Sequence, residues 1–234
     1  MKHSTRILTL LLAALSVAAF AQDASPLKRA PKVGDVSKYK LDATITLSIG
    51  EGTFAATMAQ KVIKVGDDGT YVVEEKTSGK ATFAGTDYPV PDSTEKQTRN
   101  AQNLLTAVEG DEIDATKKEG EFRMDALQTF HAPATAVKVG DTWSFDQKAS
   151  SATSDVGTKV DYKVEGAEDL GGHKAFKIHA TGKESGGGDA TADMTFWVDR
   201  TSGAVVKCEG TLKHAVIGGA PEPIDMKFTM TLVE

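Results

Sequence analysis

Residues 191-TADMTFWVDRTSGAVVKCEG-210 read as a β-hairpin. Met194, Phe196 and Val198 fall on one side of the first arm, and Thr195, Trp197 and Asp199 on the other, because successive side chains of a strand point to opposite faces. Asp199-Arg200-Thr201-Ser202-Gly203 supplies the turn, with Gly203 free to take a positive φ. Ala204, Val206 and Cys208 then alternate with Val205, Lys207 and Glu209. That shared parity with Val206 predicts a buried Cys208 thiol; an exposed reactive thiol is the alternative.

The same order of strand, polar glycine-containing turn and strand recurs along most of the chain. Tyr39, Leu41, Ala43, Ile45 and Leu47 alternate with polar residues before Gly50-Glu51-Gly52. Phe54, Ala56, Met58, Gln60 and Val62 share one face of the next strand. Further strands follow, ending with Met226, Phe228, Met230 and Leu232. The spacing predicts roughly ten to twelve strands. Short connections imply antiparallel neighbours, and a sheet this wide must curl or close. The predicted class is all-β with one short helix, an antiparallel meander curled into a half-barrel or barrel.

Three segments depart from this pattern. Tyr88-Pro89-Val90-Pro91-Asp92 carries two prolines, which a central strand excludes, and reads as a rim loop. Residues 93–99 and 104–109 read as a hairpin, with a helix over 98–107 as the competing reading. Residues 121–130 make the best helix, with Phe122, Ala126, Leu127 and Phe130 in one stripe. Such a helix either plugs the sheet or acts as a lid over a ligand cavity.

Lys32-Val33-Gly34-Asp35 recurs as Lys138-Val139-Gly140-Asp141, which suggests two duplicated halves, 33–130 and 138–234, within a single β domain over 33–234. Convergent turn chemistry is the alternative, and Lys64-Val65-Gly66-Asp67 favours it by repeating the same four residues inside the first half.

The first 21 residues have the form of a secretory signal peptide. Lys2 and Arg6 precede the largely apolar run 7–20, and Ala19-Phe20-Ala21 is a small-x-small cleavage site. The expected location is therefore outside the cytoplasm, periplasmic or secreted, with no transmembrane segment later in the chain. Residues 22–32 are polar, contain proline and read as a disordered leader. Without Lys2 and Arg6, the 27 basic residues become 25 against 33 acidic ones, a net charge of −8. With no Lys/Arg cluster, that charge argues against nucleic-acid binding.

Searches for chemistry return little. No Gly-x-Ser-x-Gly elbow, phosphate loop or dinucleotide fingerprint occurs. His131, His173, His179 and His214 have no metal-ligand spacing, and the acidic group Glu109, Asp111, Glu112 and Asp114 lacks the order of a calcium loop. No catalytic residue, metal or cofactor is expected, and the protein reads as non-enzymatic.

Val139-Gly140-Asp141-Thr142-Trp143, then Tyr162-Lys163-Val164-Glu165-Gly166, then Phe196-Trp197-Val198-Asp199 with Thr201-Ser202-Gly203 and Val206-Lys207, resemble a family of uncharacterised exported bacterial β-rich proteins. There a Gly-Asp-x-Trp strand start precedes a late Trp-x-Asp-x-x-x-Gly hairpin, and the resemblance covers residues 32–233. The late hairpin is also similar to one in the periplasmic lipoprotein-carrier superfamily, whose half-barrel binds acyl chains. That resemblance implies an apolar or lipid-like ligand in the cell envelope and brings no catalytic residue with it. The residues expected to line such a cavity are Phe54, Met58, Trp143, Met194, Phe196 and Trp197. The alternative is a structural or protein-interaction module with a filled core.

Overall fold

The computed structural model describes residues 23–110, 113–218, 220 and 222–233. The expected signal peptide lies outside the described residues, as do Asp111 and Glu112 of the acidic group. Eleven strands and one helix follow in chain order: β1 (Val36–Leu47), β2 (Gly50–Val65), β3 (Tyr71–Phe83), β4 (Thr86–Arg99), β5 (Leu105–Gly110), α1 (Ala115–Gln128), β6 (Thr142–Gln147), β7 (Gly157–Leu170), β8 (His173–Ser185), β9 (Thr191–Asp199), β10 (Val205–Ala215) and β11 (Ile224–Leu232).

The strands form one antiparallel sheet in the order β5-β4-β3-β2-β1-β11-β10-β9-β8-β7-β6. Two meanders therefore meet where the first strand pairs with the last, from Tyr39↔Leu232 to Thr46↔Asp225. The sheet curls without closing, a half-barrel whose edges are β5 and β6. Each half descends through its strands in the same direction, and β11 of the second half lies beside β1 of the first.

The two Lys-Val-Gly-Asp turns fold alike. Gly34 and Gly140 donate to the Val62 and Val164 carbonyls, both at 2.9 Å, and the amides of those valines donate back to Asp35 and Asp141. Each aspartate also accepts from the lysine amide three residues earlier. Both glycines have a positive φ, 96° and 92°. The third copy, at 64–67, makes a different turn, in which Gly66 donates to Thr70 at 2.7 Å.

The helix is longer at its start and shorter at its end than the apolar stripe predicts. Asp114 caps it by accepting from the Lys117 amide, and Thr129 closes it. The first turn is polar, so side-chain periodicity could not mark it. Phe130 lies beyond the helix and still enters the core. Two ion pairs tie α1 to opposite parts of the sheet. Arg123 grips Glu184 of β8 with two bonds of 2.8 and 2.7 Å, and Asp125 meets Arg99 of β4 at 2.7 Å. In the second half the interior is filled, with Phe130 edge-on to both Trp143 and Tyr162, and Trp143 stacked on Tyr162 at 4.9 Å.

Three sequence expectations need correction. The segment 88–92 is not a loop but part of β4. β5 pairs only with residues 95–99 of that strand, so Pro89 and Pro91 sit where its outer edge is free, and the missing N–H groups leave no gap in a ladder. The late hairpin slips parity between Val205 and Lys207. That bulge puts Val206 beside Trp197 on the outer face, while Cys208 turns inward opposite Phe196. Cys208 is buried, though for a reason alternation did not contain.

The third correction concerns the segment 22–32, of which residues 23–32 are described. It is docked rather than disordered. Ser25 and Val137 exchange backbone hydrogen bonds of 2.9 and 3.1 Å, Arg200 holds the Asp23 carbonyl at 2.9 Å, and Leu27 is 0% exposed within the main core. A single apolar anchor in a polar stretch has no periodicity to detect. The leader packs so tightly on the β9–β10 turn that a Cβ on Gly203, whose φ is +68°, would stand 2.6 Å from the Leu27 carbonyl. Gly203→Ala is therefore expected to lose about 1–2 kcal/mol and to loosen this segment. Trypsin should then cut at Lys28 or Arg29 several-fold faster than in the native protein. Equal cleavage rates would show that the contact yields without effect.

Candidate functional site

A cavity of about 190 Å³ lies between α1 and the inner face of the sheet, mainly over the first half. Its walls differ in chemistry. One is apolar, built from Met58, Phe130, Phe196, Met226, Phe228 and Met230, with the Cys208 thiol among them. Methionine is flexible and polarisable, so this wall can adapt to what it touches. The other wall is polar and comes from β2, β3, β4 and α1.

Strand register assembles the polar wall. Gln60 pairs with Glu75, and Glu75 with Glu95, in one row across β2, β3 and β4. Gln97 and Arg99 share the inward parity of Glu95, and both are buried. Gln60 donates to Glu75 at 2.7 Å, and Gln97 donates to Glu95. Arg99 donates to Gln97, to the Asn103 carbonyl at 2.9 Å and to Asp125 at 2.7 Å. Asp125 also accepts from the Leu105 amide at 3.0 Å and from Thr129 at 2.8 Å. Tyr71 donates to Asn103, whose amide reaches the Phe130 carbonyl at 3.2 Å.

The charges in this wall do not balance. Burial opposes the charge on Arg99, but Asp125, Tyr71 and Glu75 outweigh it and raise its pKa. Burial raises the Glu75 carboxyl, against the hydrogen bond from Gln60. Glu121, on the α1 face that lines the cavity, is pushed up to about 7, first by burial and then by Glu95, Glu75 and Asp125. Among the described residues no hydrogen-bond donor reaches Glu121.

A wider and shallower groove of about 820 Å³ runs along the free edge of β6 and the segment 131–137. Its aromatic groups are already engaged. His131 stacks on Phe145 at 3.7 Å, and the Trp143 indole donates to the His131 carbonyl at 3.1 Å. The His131 Nε2 faces the Ala126 carbonyl at 3.2 Å, which can only accept, so Nε2 carries the proton. Its Nδ1 is buried with no hydrogen-bond partner among the described residues, and burial pushes the ring down to about 4.

The six residues expected at a ligand site separate. Met58 and Phe196 line the inner cavity. Met194 is in the filled core, and Phe54 packs against that core from the side. Trp143 borders the outer groove. Trp197 faces away from the helix, in a cluster with Ala175 and Val206, where its indole donates to Glu168 and Lys207 lies over its ring at 4.4 Å. Residue alternation did not reveal the polar wall. The available signal was Gln60, a polar residue in the inward row of Met58 and Val62. Its partners Glu75 and Glu95 become visible only once the strand register is known.

His173, His179 and His214 each meet one aspartate, at 3.2, 3.1 and 3.1 Å. Among the described residues no group of three or more His, Cys, Asp or Glu side chains could hold a metal ion. No helix there is long and apolar enough to cross a membrane.

No protein-family model and no curated protein matches the chain. Among solved structures it is similar to the hypothetical lipoprotein YmcC from Escherichia coli, at 12% identity and a TM-score of 0.34, over 88% of this chain and 92% of the other. It is also similar to DynF from the dynemicin biosynthesis pathway of Micromonospora chersina, at 8% identity and 0.29, over 91% and 85%. A third similarity is to a putative outer membrane lipoprotein-sorting protein domain from Vibrio parahaemolyticus, at 10% identity and 0.23, over 88% and 86%. At these scores none of the three carries a function or a residue role to this chain.

Proposed function

We propose that this protein is an exported, non-enzymatic carrier that holds a small amphiphilic ligand between α1 and the inner face of its half-barrel. The observation that supports this reading is the two-walled cavity, with methionine and phenylalanine on one side and a hydrogen-bonded polar row on the other. A ligand with one apolar and one polar end matches both walls at once. The volume of about 190 Å³ equals roughly six water-sized groups at ~30 Å³ each. It is smaller than the ~300 Å³ at which drug-sized pockets begin. A longer chain enters only if α1 shifts, and α1 is then a lid as well as a plug. The location outside the cytoplasm rests on the form of residues 1–21.

Native mass spectrometry of the protein purified from a bacterial periplasm tests the proposal. The expected result is a bound species of lipid-like mass that organic extraction removes. Cys208 supplies a second readout, because its thiol lines the cavity. Ligand removal should raise its rate of modification by a small apolar thiol reagent at least several-fold. A ligand-free mass together with a Cys208 rate that extraction leaves unchanged would overturn the proposal.

A further inference from the structure

We infer that the ligand's polar end is a cation, an ammonium group on a short apolar chain, held between Glu121 of α1 and Glu75 of β3. This rests on the carrier reading above and assigns a chemical class to the ligand of that cavity.

The argument is one of charges already engaged and charges left over. Five charged residues line the cavity, namely Arg29, Glu75, Arg99, Glu121 and Asp125. Arg99 and Asp125 neutralise each other, and both are satisfied elsewhere. Arg99 reaches Gln97 and the Asn103 carbonyl, and Asp125 takes the Leu105 amide and the Thr129 hydroxyl. Arg99 already directs four of its five N–H groups to Gln97, the Asn103 carbonyl and Asp125, which leaves a ligand carboxylate one donor and no bidentate grip. Arg29, the other cation, comes from the leader and lies 5.8 Å over the Tyr71 ring. Against that one charge stand the carboxyls of Glu75 and Glu121 in the lining and of Glu95 beside them, so the remainder is acidic in excess. Glu75 has one short hydrogen bond, from Gln60, and a long one of 3.4 Å from Thr77. Glu95 stands directly opposite Glu75 on the next strand, an arrangement in which like charges repel. Glu121 faces them from the helix with no donor among the described residues; burial first, and these carboxylates after it, push its carboxyl up to about 7.

An ammonium group would relieve that repulsion, donate to Glu121, which has no donor among the described residues, and to the Glu75 oxygen held only by the long Thr77 bond, and leave its chain against the methionine and phenylalanine wall. A fatty acid would add a further negative charge to the same wall. The apolar surface distinguishes this arrangement from an acidic patch that merely faces solvent. It gives the ligand's other end a place to go.

The test compares three probes of equal chain length, octylammonium, octanol and octanoate, by calorimetry on the native protein after organic extraction. An alkylammonium titrates near ~10, so it stays charged from pH 6 to 8. At pH 8 octylammonium should bind at least tenfold tighter than octanoate, with octanol between them. Its affinity should increase from pH 6 to 8 as Glu121 ionises. In the Glu75→Gln, Glu121→Gln double variant, octylammonium should fall to within threefold of octanol and lose its pH dependence. A cooperative urea transition with the native slope would show that the variant is folded. Octanoate binding as tightly as octylammonium, or an ammonium affinity untouched in the double variant, would overturn the inference and leave the carrier reading standing. Binding of none of the three probes would overturn both.

Discussion

Arg99→Met is expected to lower stability by about 3–5 kcal/mol, seen as a fall in melting temperature of roughly 10 °C or more. The Arg99 side chain is 10% exposed and that of Asp125 is 6% exposed. Methionine fills much of the same volume, so the loss reports charge rather than an empty cavity. Without the guanidinium, Asp125 keeps its bonds from Leu105 and Thr129 but faces Glu121, Glu75 and Glu95, with the half-buried Arg29 of the leader as the cation left among the described cavity residues. Removing one partner of a buried pair strands the other, whereas replacing both with apolar groups is often close to neutral. The Arg99→Met, Asp125→Leu double variant should therefore recover more than half of the loss. The deficit of the single variant should also shrink as pH falls and the carboxyls take up protons. A single-variant loss below 1 kcal/mol would show that water reaches this wall and screens it.

How far the sequence reveals this molecule depends on which contacts are local. The strand alternation of 39–47 and 226–232 is local, and both strands lie as that alternation places them, paired with each other across the junction of the two meanders. The Lys-Val-Gly-Asp turns are local too, and two of the three copies fold alike. Errors arose where one residue shifts the count or where the partner is distant. The bulge at Val205 reverses the faces of Val206 and Cys208, which strict alternation places together. Leu27 anchors the leader through the core cluster, with nothing beside it in the sequence to announce the fact. The polar wall was the largest omission. Gln60, Glu75 and Glu95 are far apart in the chain and meet only because β2, β3 and β4 hold one register. Read singly, each resembles a solvated strand residue. Read in register, they are three polar side chains beneath a helix that adds Glu121 and Asp125.

Changing Glu121 to glutamine should expose a pH dependence that the native protein hides. Glu121 sits at about 7 when folded, above the ordinary glutamate value of 4.5. The folded state thus holds this proton more tightly than the unfolded state. Its contribution is fully present below about pH 4.5 and is lost as pH rises through 7. His131 behaves in the opposite sense. Its ring sits at about 4 when folded, below 6.5, because burial disfavours its charged form. Its contribution is fully present above about pH 6.5 and is lost as pH falls through 4. Between about 4.5 and 6.5 the two slopes oppose each other, so together they leave the native profile nearly flat there. Of these two slopes only the histidine's remains in Glu121→Gln, and it should raise stability by on the order of 2–3 kcal/mol from pH 4 to 6.5. At pH 8 the same variant should exceed the native protein by about 2 kcal/mol, a figure reduced for the partial exposure of Glu121. His131→Phe, which can keep the stack on Phe145, should instead lose stability between pH 4.5 and 7. Urea unfolding at half-unit steps from pH 4 to 8 would separate the three profiles. Parallel curves for the native protein and Glu121→Gln would mean that Glu121 ionises as it does in water. The crowding of carboxylates under α1, and with it the cationic ligand, would then lose its physical basis.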